Sequence, residues 1–437
     1  MTPDDVFFVD AHKLRIGLFV ELDVGWMAHP FPTGSFKLSN AQQIEAIQGL
    51  NVTPIRCIRS KSDPELATSE ATPTSQLGAS PYDGYDPVKE ARKAAAGQAQ
   101  EERKRRVDLL ASQARSLALC ERRFGEAIRQ YRKTLELVQF QPVTAATEAA
   151  RMVESIIGDM MSEGECAIRL LTVAAGDKSS MHPVNVTIVS LLLGKAMGLP
   201  PGDLQDLGLA AFLHDIGKSE LPDRVRWLDD SFSSAEYKLY QDHVAKSVHL
   251  GKSMELSRPA LLAIAQHHEM VDGSGFPMRL KGETLSAATR ILALTNRYDN
   301  LCNPSRSAAA LTPHEALSLI FAQMKSKFDS TTLSAFIRMM GVYPPGSIVQ
   351  LVDDRYGMVV SVNSSRPLKP RVIVYEPGVP SDETLILDLE HAFGVGIRRS
   401  LKPSTLPAAA LEFLAPHHRM CYYFEKLVDP QMQEANP

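Results

Sequence analysis

Six of the twelve histidines in this 437-residue chain fall between residues 182 and 268, inside a stretch from 143 to 340 whose apolar residues recur at helical spacing. That coincidence restricts the fold more than any other feature. Leu204, Leu207, Ala211 and His214 follow an i, i+3, i+7, i+10 pattern, and Tyr240, His243, Ser247 and Leu250 repeat it, so His214 and His243 ride stripes that face inward. Imidazoles on the inner faces of several helices converge in a bundle core, as in helical metal sites. An isolated histidine on an apolar face is more often a hydrogen-bonded core residue, and His249 and His314 are read that way or as surface residues. His182, His214 beside Asp215, His243 and the pair His267-His268 are read together. Imidazoles with a carboxylate are donors for borderline divalent metals, and this set suffices for two ions.

Other material flanks the helical region. Residues 5–58 read as a small α/β unit: Leu14–Val24 strand-like, Trp26–Pro32 a turn-rich loop, Ala41–Leu50 helical and Val52–Ile58 a short β-type run. Ser, Thr, Pro, Asp and Gly dominate residues 60–87, the composition of a flexible linker. Pro87 then opens a helical stretch to about Phe140, with Leu110, Leu117, Phe124, Tyr131 and Val138 seven residues apart. Ala114, Ile128 and Leu135 extend that seam and Glu121 interrupts it. A heptad seam of this length fits a dimerising coiled coil over 105–140 or a long helix packed on its own domain. Ser233 with Glu236 reads as a capping box. From residue 346 the pattern turns to short β-type runs: Ile348–Val352, Met358–Val362, Val372–Tyr375 and Thr384–Leu387. The expected architecture is mainly α: an N-terminal α/β module (1–59), a linker (60–87), a long helix (88–141), a helical bundle (142–342) and a C-terminal β extension with its tail (343–437).

Composition narrows the function. A net charge of −4 excludes a generally basic DNA- or RNA-binding surface. The five cysteines (Cys57, Cys120, Cys166, Cys302 and Cys421) are scattered without CxxC spacing, as in reduced cytosolic proteins. Met1-Thr-Pro-Asp-Asp does not read as a secretory leader, and the apolar run Val186–Leu193 is too short to span a bilayer, so a cytoplasmic location is expected.

Residues 214–218, His-Asp-Ile-Gly-Lys, resemble the signature of the HD superfamily of metal-dependent phosphohydrolases, and residues 267–277, His-His-Glu-Met-Val-Asp-Gly-Ser-Gly-Phe-Pro, resemble the second signature of its HD-GYP branch. The likeness continues through Ala288-Thr-Arg-Ile-Leu-Ala-Leu and Arg297-Tyr-Asp-Asn-Leu. Residues 5–58 are similar to the module that precedes some HD-GYP domains, with Gly17-Leu-Phe-Val and Trp26…Pro30-Phe31 as its marks. The resemblance implies a helical domain with two divalent ions, iron or manganese, and hydrolysis of cyclic di-GMP to pGpG or GMP by a hydroxide shared between the ions. By position it implies His182, His214, Asp215, His243, His267, His268 and Asn296 as metal ligands, with Asp215 between both ions. Lys218 matches a phosphate-contacting lysine; Gly273 and Gly275 permit close backbone approach, Phe276 offers a face to guanine, and Arg306 is a candidate phosphate contact.

The sequence departs from that pattern in specific places. Phe276 stands where the family carries the GYP tyrosine and lacks its hydroxyl. Asn296 stands where a ligand aspartate is expected and brings no charge. Lys178, with Asp177 one residue further from His182, occupies the place of a carboxylate in three-metal members, so two ions are expected. Asn303-Pro-Ser-Arg306 replaces an Arg-Pro-Tyr-Arg-like segment. These departures keep a second reading open: a weakened domain that senses cyclic di-GMP or docks a diguanylate cyclase without turnover.

Overall fold

The computed structural model describes residues 6–21, 35–49, 55–63, 87–172, 178–229, 231–306, 309–363, 365–392, 394–415 and 419–426. They belong to two compact units, Met1–Asp86 and Pro87–Pro437. In the first, β1 (Val6–Val9), β2 (Phe19–Glu21), β3 (Ser35–Lys37) and, after helix α1 (Ala41–Gly49), β4 (Ile55–Ile58) form an antiparallel sheet in the order β1-β4-β2-β3. Leu18, Val20, Leu38, Ile47, Ile55 and Cys57 are its core. The strand expected over Leu14–Val24 begins only at Phe19, because Gly17 turns the chain at φ +91°, and its last three residues lie outside the described residues. Asp63 N donates to Gly17 O at 2.8 Å, so this unit runs past residue 59. The Trp26–Pro32 loop and nearly all of the expected linker lie outside the described residues.

The second unit begins with α2 (Pro87–Leu137) and α3 (Pro142–Met161), followed by β5 (Cys166–Leu170). Helices α4 (Lys178–Ala196), α5 (Pro201–Leu213), α6 (Ser234–Ser253), α7 (Arg258–Gln266), α8 (Ala287–Cys302), α9 (Pro313–Gln323) and α10 (Ser330–Met340) complete the bundle. Ser233 and Glu236 form the expected capping box on α6. Helix α4 is buried on almost every side, which its run of Val, Ile and Leu permits.

The coiled-coil reading of the seam fails over its longest part. Phe124, Ile128, Tyr131 and Val138 are buried in the unit's own core, and Leu117 and Leu135 pack against it. Tyr131 meets Phe212 of α5 edge-on, at 5.3 Å between centroids. The same heptad spacing serves an intramolecular face, and no seam remains there for a second copy.

The C-terminal strands are not a separate module either. β6 (Ile348–Leu351), β7 (Tyr356–Asn363), β8 (Arg371–Val374), β9 (Leu387–Asp388), β10 (Ile397–Leu401) and, after α11 (Ala408–Leu414), β11 (Tyr422–Lys426) join β5 in a sheet of order β10-β6-β7-β5-β11. β8 pairs with β7 and β9 off that path. β5 comes from the region read as all helix and lies between β7 and β11, pairing Ile168 with Val362 and Phe424. The expected strand at Thr384–Leu387 follows a 3-10 turn at Ser381–Glu383 and is irregular until β9 begins at Leu387, and the tail after 400 holds β11, which the sequence pattern does not show. Among the described residues no helix is long and apolar enough to cross a membrane.

Since the seam serves the fold, Phe124→Ala should lower the unfolding free energy by about 3–5 kcal/mol. A shift of the urea midpoint, with no change in the mass seen by light scattering, checks this.

Candidate metal centre

Four helices deliver the histidines. His182 projects from α4, His214 caps the C-terminus of α5, His243 lies within α6, and His267 caps α7 with His268 next. Asp215 and Lys218 follow α5 directly, in a 3-10 turn that lies flush on α6. Gly217 permits that contact: a Cβ there would meet Ser247 N at 2.4 Å and His243 O at 2.5 Å, and Gly217 N donates to Ser247 Oγ at 2.9 Å.

The ring orientations share one device. Nδ1–H of His214 donates to Ala211 O at 2.7 Å and that of His267 to Ile264 O at 2.6 Å, while His243 makes the same bond to Tyr240 O. Each bond reaches back three residues, and for the two helix caps it satisfies a carbonyl left open at a helix end. His182 Nδ1 instead meets Asp299 Oδ2 at 2.5 Å. With Nδ1 occupied in all four rings, the Nε2 lone pairs point to the centre.

There they flank Asp215. Its Oδ2 lies 3.4 Å from Nε2 of both His182 and His214, and its Oδ1 lies 3.4 Å from His243 Nε2 and 3.7 Å from His267 Nε2. His268 Nε2 approaches His243 Nε2 to 3.2 Å. The donors thus form two groups, His182–His214–Asp215 and Asp215–His243–His267–His268, each with donor atoms within 4.8 Å of one another. Oδ1 of Asp215 is buried with no hydrogen-bond partner. An orphaned carboxylate oxygen facing imidazole lone pairs is costly unless a cation shares the space, so these residues fit a divalent metal beside Asp215.

Electrostatics agrees with that fit. Burial alone would raise the Asp215 carboxyl, but His214, Lys218 and His182 hold it well below its ordinary value. Lys218 Nζ donates to its Oδ2 at 2.6 Å. Burial first, and Lys218 second, push His243 down to about 4; burial and neighbouring rings also depress His267 and His268. These three rings are neutral at pH 7 and need lose no proton to bind a metal. His182 is the exception: burial lowers it, yet Asp215 and Asp299 outweigh burial and raise it.

Other expected residues are placed differently. Asn296 is buried on α8, but its Oδ1 already accepts from Asn300 Nδ2 at 2.7 Å, so its best ligand atom is engaged. Gly273 sits at φ +79°, and a Cβ on Gly275 would strike the backbone of His268–Met270 at 2.5 Å. Both glycines therefore answer to the loop's own packing, and Gly275 also lines the cavity, whereas Gly273 is not among its lining residues. Phe276 stacks on His268 at 4.4 Å between centroids. Arg306 is largely exposed and pairs with Asp229 at 2.7 Å. Phe276, Lys218, His268, Asn296 and Arg306 all line one cavity of about 430 Å³, within the range of small-ligand sites.

Three functional features escaped the sequence reading. Trp227 lines the cavity, with Lys218 Nζ 4.7 Å from its ring centre. Glu269, buried, accepts from the backbone N–H groups of Met278, Arg279 and Leu280 at 2.7–3.1 Å and so shapes the loop that carries Phe276. The third is Asp299. Asn185 Nδ2 donates to its Oδ1 at 2.6 Å and to Met420 O at 2.7 Å, while Asn185 Oδ1 accepts from Tyr422 N at 2.8 Å. Asn303 Nδ2 donates to the same carboxylate oxygen at 2.8 Å and to Met420 O at 2.9 Å, and its Oδ1 accepts from Met420 N at 2.8 Å. Two asparagines thus tie the carboxylate that aims His182 to the backbone leading into β11. Asp299 lies one helical turn after Asn296, the signal by which periodicity could have found it.

Residues 169–332 match the family model described as HD domain, and residues 8–149 match a model described as a domain of unknown function, DUF3391. The second match runs through α2 into α3, well past the module boundary expected at 59. A cyclic di-GMP phosphodiesterase of Pseudomonas aeruginosa is 27% identical over 376 residues, covering 83% of each chain. The cyclic di-GMP phosphodiesterase response regulator RpfG of Xanthomonas campestris is 30% identical over 34% of this chain and 40% of its own length. A 3'3'-cGAMP-specific phosphodiesterase of Vibrio cholerae is 24% identical over 37% of this chain and 35% of its own.

Replacing Asp299 with Ala should weaken metal binding by about 10–100-fold, read by competition with a chromophoric chelator. Because His182 is held protonated below its raised pKa, the wild type should release a proton on metal uptake, and its affinity should rise with pH through that range. Calorimetry in buffers of different ionisation enthalpy counts that proton.

Proposed function

We propose that this chain is an HD-GYP protein, a metal-dependent phosphodiesterase that hydrolyses cyclic di-GMP to pGpG or GMP; the HD-domain match over residues 169–332 and the likeness to cyclic di-GMP phosphodiesterases support the reading. The observation that carries the reading is the division of Asp215: one oxygen faces the His182–His214 pair and the other faces His243 and His267. In this reading the two groups of donors hold two divalent ions, iron or manganese, with Asp215 common to both. When bound, the ions supply Lewis acidity toward a water and toward the scissile phosphate. Lys218 offers a fixed positive charge where negative charge grows on phosphorus. Phe276, stacked on His268, gives guanine an aromatic surface. Arg306 reaches phosphate only by exchanging its Asp229 partner, so its part is at the cavity mouth.

A second reading, a cyclic di-GMP receptor without turnover, is favoured by one observation: the Asn296 amide oxygen is committed to Asn300. The scattered reduced cysteines support a cytoplasmic location. Within the 105–140 seam, residues 105–109 of α2 stay exposed, and that stretch is the part left for a homodimer contact; a diguanylate cyclase is the other partner in this reading.

Metal counting on anaerobically purified protein, with turnover of cyclic di-GMP measured on the same sample, tests the proposal. Two ions per chain and hydrolysis that Asp215→Ala abolishes are expected. Tight nucleotide binding with no turnover, at one ion or none, would replace the enzyme with the receptor.

A further inference from the structure

The cavity contains one buried cation that the metal centre does not explain. Lys178 opens α4, four residues before His182, and is 9% exposed. Among the described residues it forms no ion pair and donates no side-chain hydrogen bond, and its Nζ lies 4.7 Å from the centre of the Trp227 ring. Lys218 Nζ stands at the same distance from that ring, so the two ammoniums are no further apart than those two distances added together. Lys218 is balanced by Asp215 at 2.6 Å; among the described residues Lys178 has no such partner. Asp299 and Asp215 attract it only from beyond ion-pair distance, and both carboxylates are already engaged by His182 and Lys218. Burial, with repulsion from Lys218, pushes its ammonium down to about 8. A cation buried in a cleft without a counter-charge is most economically explained by a ligand that brings one.

We propose that Lys178 is a second phosphate-binding residue, which takes a non-bridging oxygen of the substrate's phosphodiester beside Lys218 across the Trp227 ring. The inference rests on the cyclic dinucleotide reading above. A single phosphodiester presents two non-bridging oxygens, and the two ammoniums line the same cavity beside one indole, where each offers a donor. Trp227 then serves as a spacer, holding both lysines by their attraction to its ring. The long stem of Lys178 is packed in place before the ligand arrives, so little rotamer freedom is lost on binding.

The test uses full-length, metal-loaded protein and the bis-phosphorothioate analogue of cyclic di-GMP, which resists hydrolysis. Binding is measured by calorimetry at two salt concentrations for the wild type and Lys178→Met, with metal content and melting temperature recorded for both. The expected result is binding weaker by about 10–100-fold in the variant, with a smaller salt dependence. Metal content should be unchanged and the melting temperature equal or higher, since an uncompensated buried charge has been removed. Equal affinity in the two proteins overturns the proposal, and so does a loss of binding accompanied by lost metal or a lower melting temperature. A wild type that does not bind the analogue at all overturns the phosphodiesterase reading itself.

Discussion

The Asp215 carboxylate is buried among imidazoles, and the surrounding structure is arranged to tolerate that one charge. A lone anion in a helical core would take up a proton or open the core to water. Here Lys218 comes from the same turn, the ring nitrogens come from α4, α5, α6 and α7, and Gly217 lets the turn lie flat enough on α6 to bring them together. The backbone carbonyls that fix three of the rings belong to the helices carrying those rings, so helix packing and ring direction are set by the same atoms. The placement of α5 and α7 is therefore tightly linked to the aim of their terminal histidines.

The sheet behind the bundle has a comparable dependence. β5 leaves the helical region, enters the sheet between β7 and β11, and returns the chain to α4 just ahead of His182. Arg169 on β5 and Glu425 on β11 are both buried and 3.7 Å apart, with Arg371 of β8 at 3.6 Å from the same glutamate. Buried ion pairs contribute more to register than to net stability. This pair fixes which residues of β11 face β5, and hence where Met420 and Tyr422 meet Asn185 and Asn303.

What could be read in advance follows from how local each signal is. The inner stripes through His214 and His243 were legible because helical periodicity assigns a residue's face from its neighbours alone. The Ser233–Glu236 cap was legible for the same reason. β5 was not: Cys166-Ala-Ile-Arg-Leu is a short apolar run, and the strands that make it a strand are Tyr356–Asn363 and Tyr422–Lys426, far along the chain. The seam from Leu117 to Val138 showed that one face of α2 is buried but carried no information on what covers it. Gly273 and Gly275 marked a loop with special backbone demands; only the fold reveals that Gly273 meets a positive φ and that Gly275 lies against the backbone of His268–Met270. The role of Asp299 behind His182 is not legible in sequence, because its hydrogen-bond partners, Asn185 and Asn303, have no motif to announce them.

The tie between Asn185 and Tyr422 spans 237 positions of sequence. During synthesis, every residue of the two donor groups has left the ribosome once His268 has emerged, yet the brace behind His182 must wait for residues 420–422. A nascent or prematurely terminated chain would carry all the imidazoles and a carboxylate between them while the carboxylate that aims one ring still lacks its anchors to that distant backbone. Bracing of His182 is thereby linked to the emergence of residues 420–422, so that a change in that distant strand reaches the middle of the chain through two asparagines.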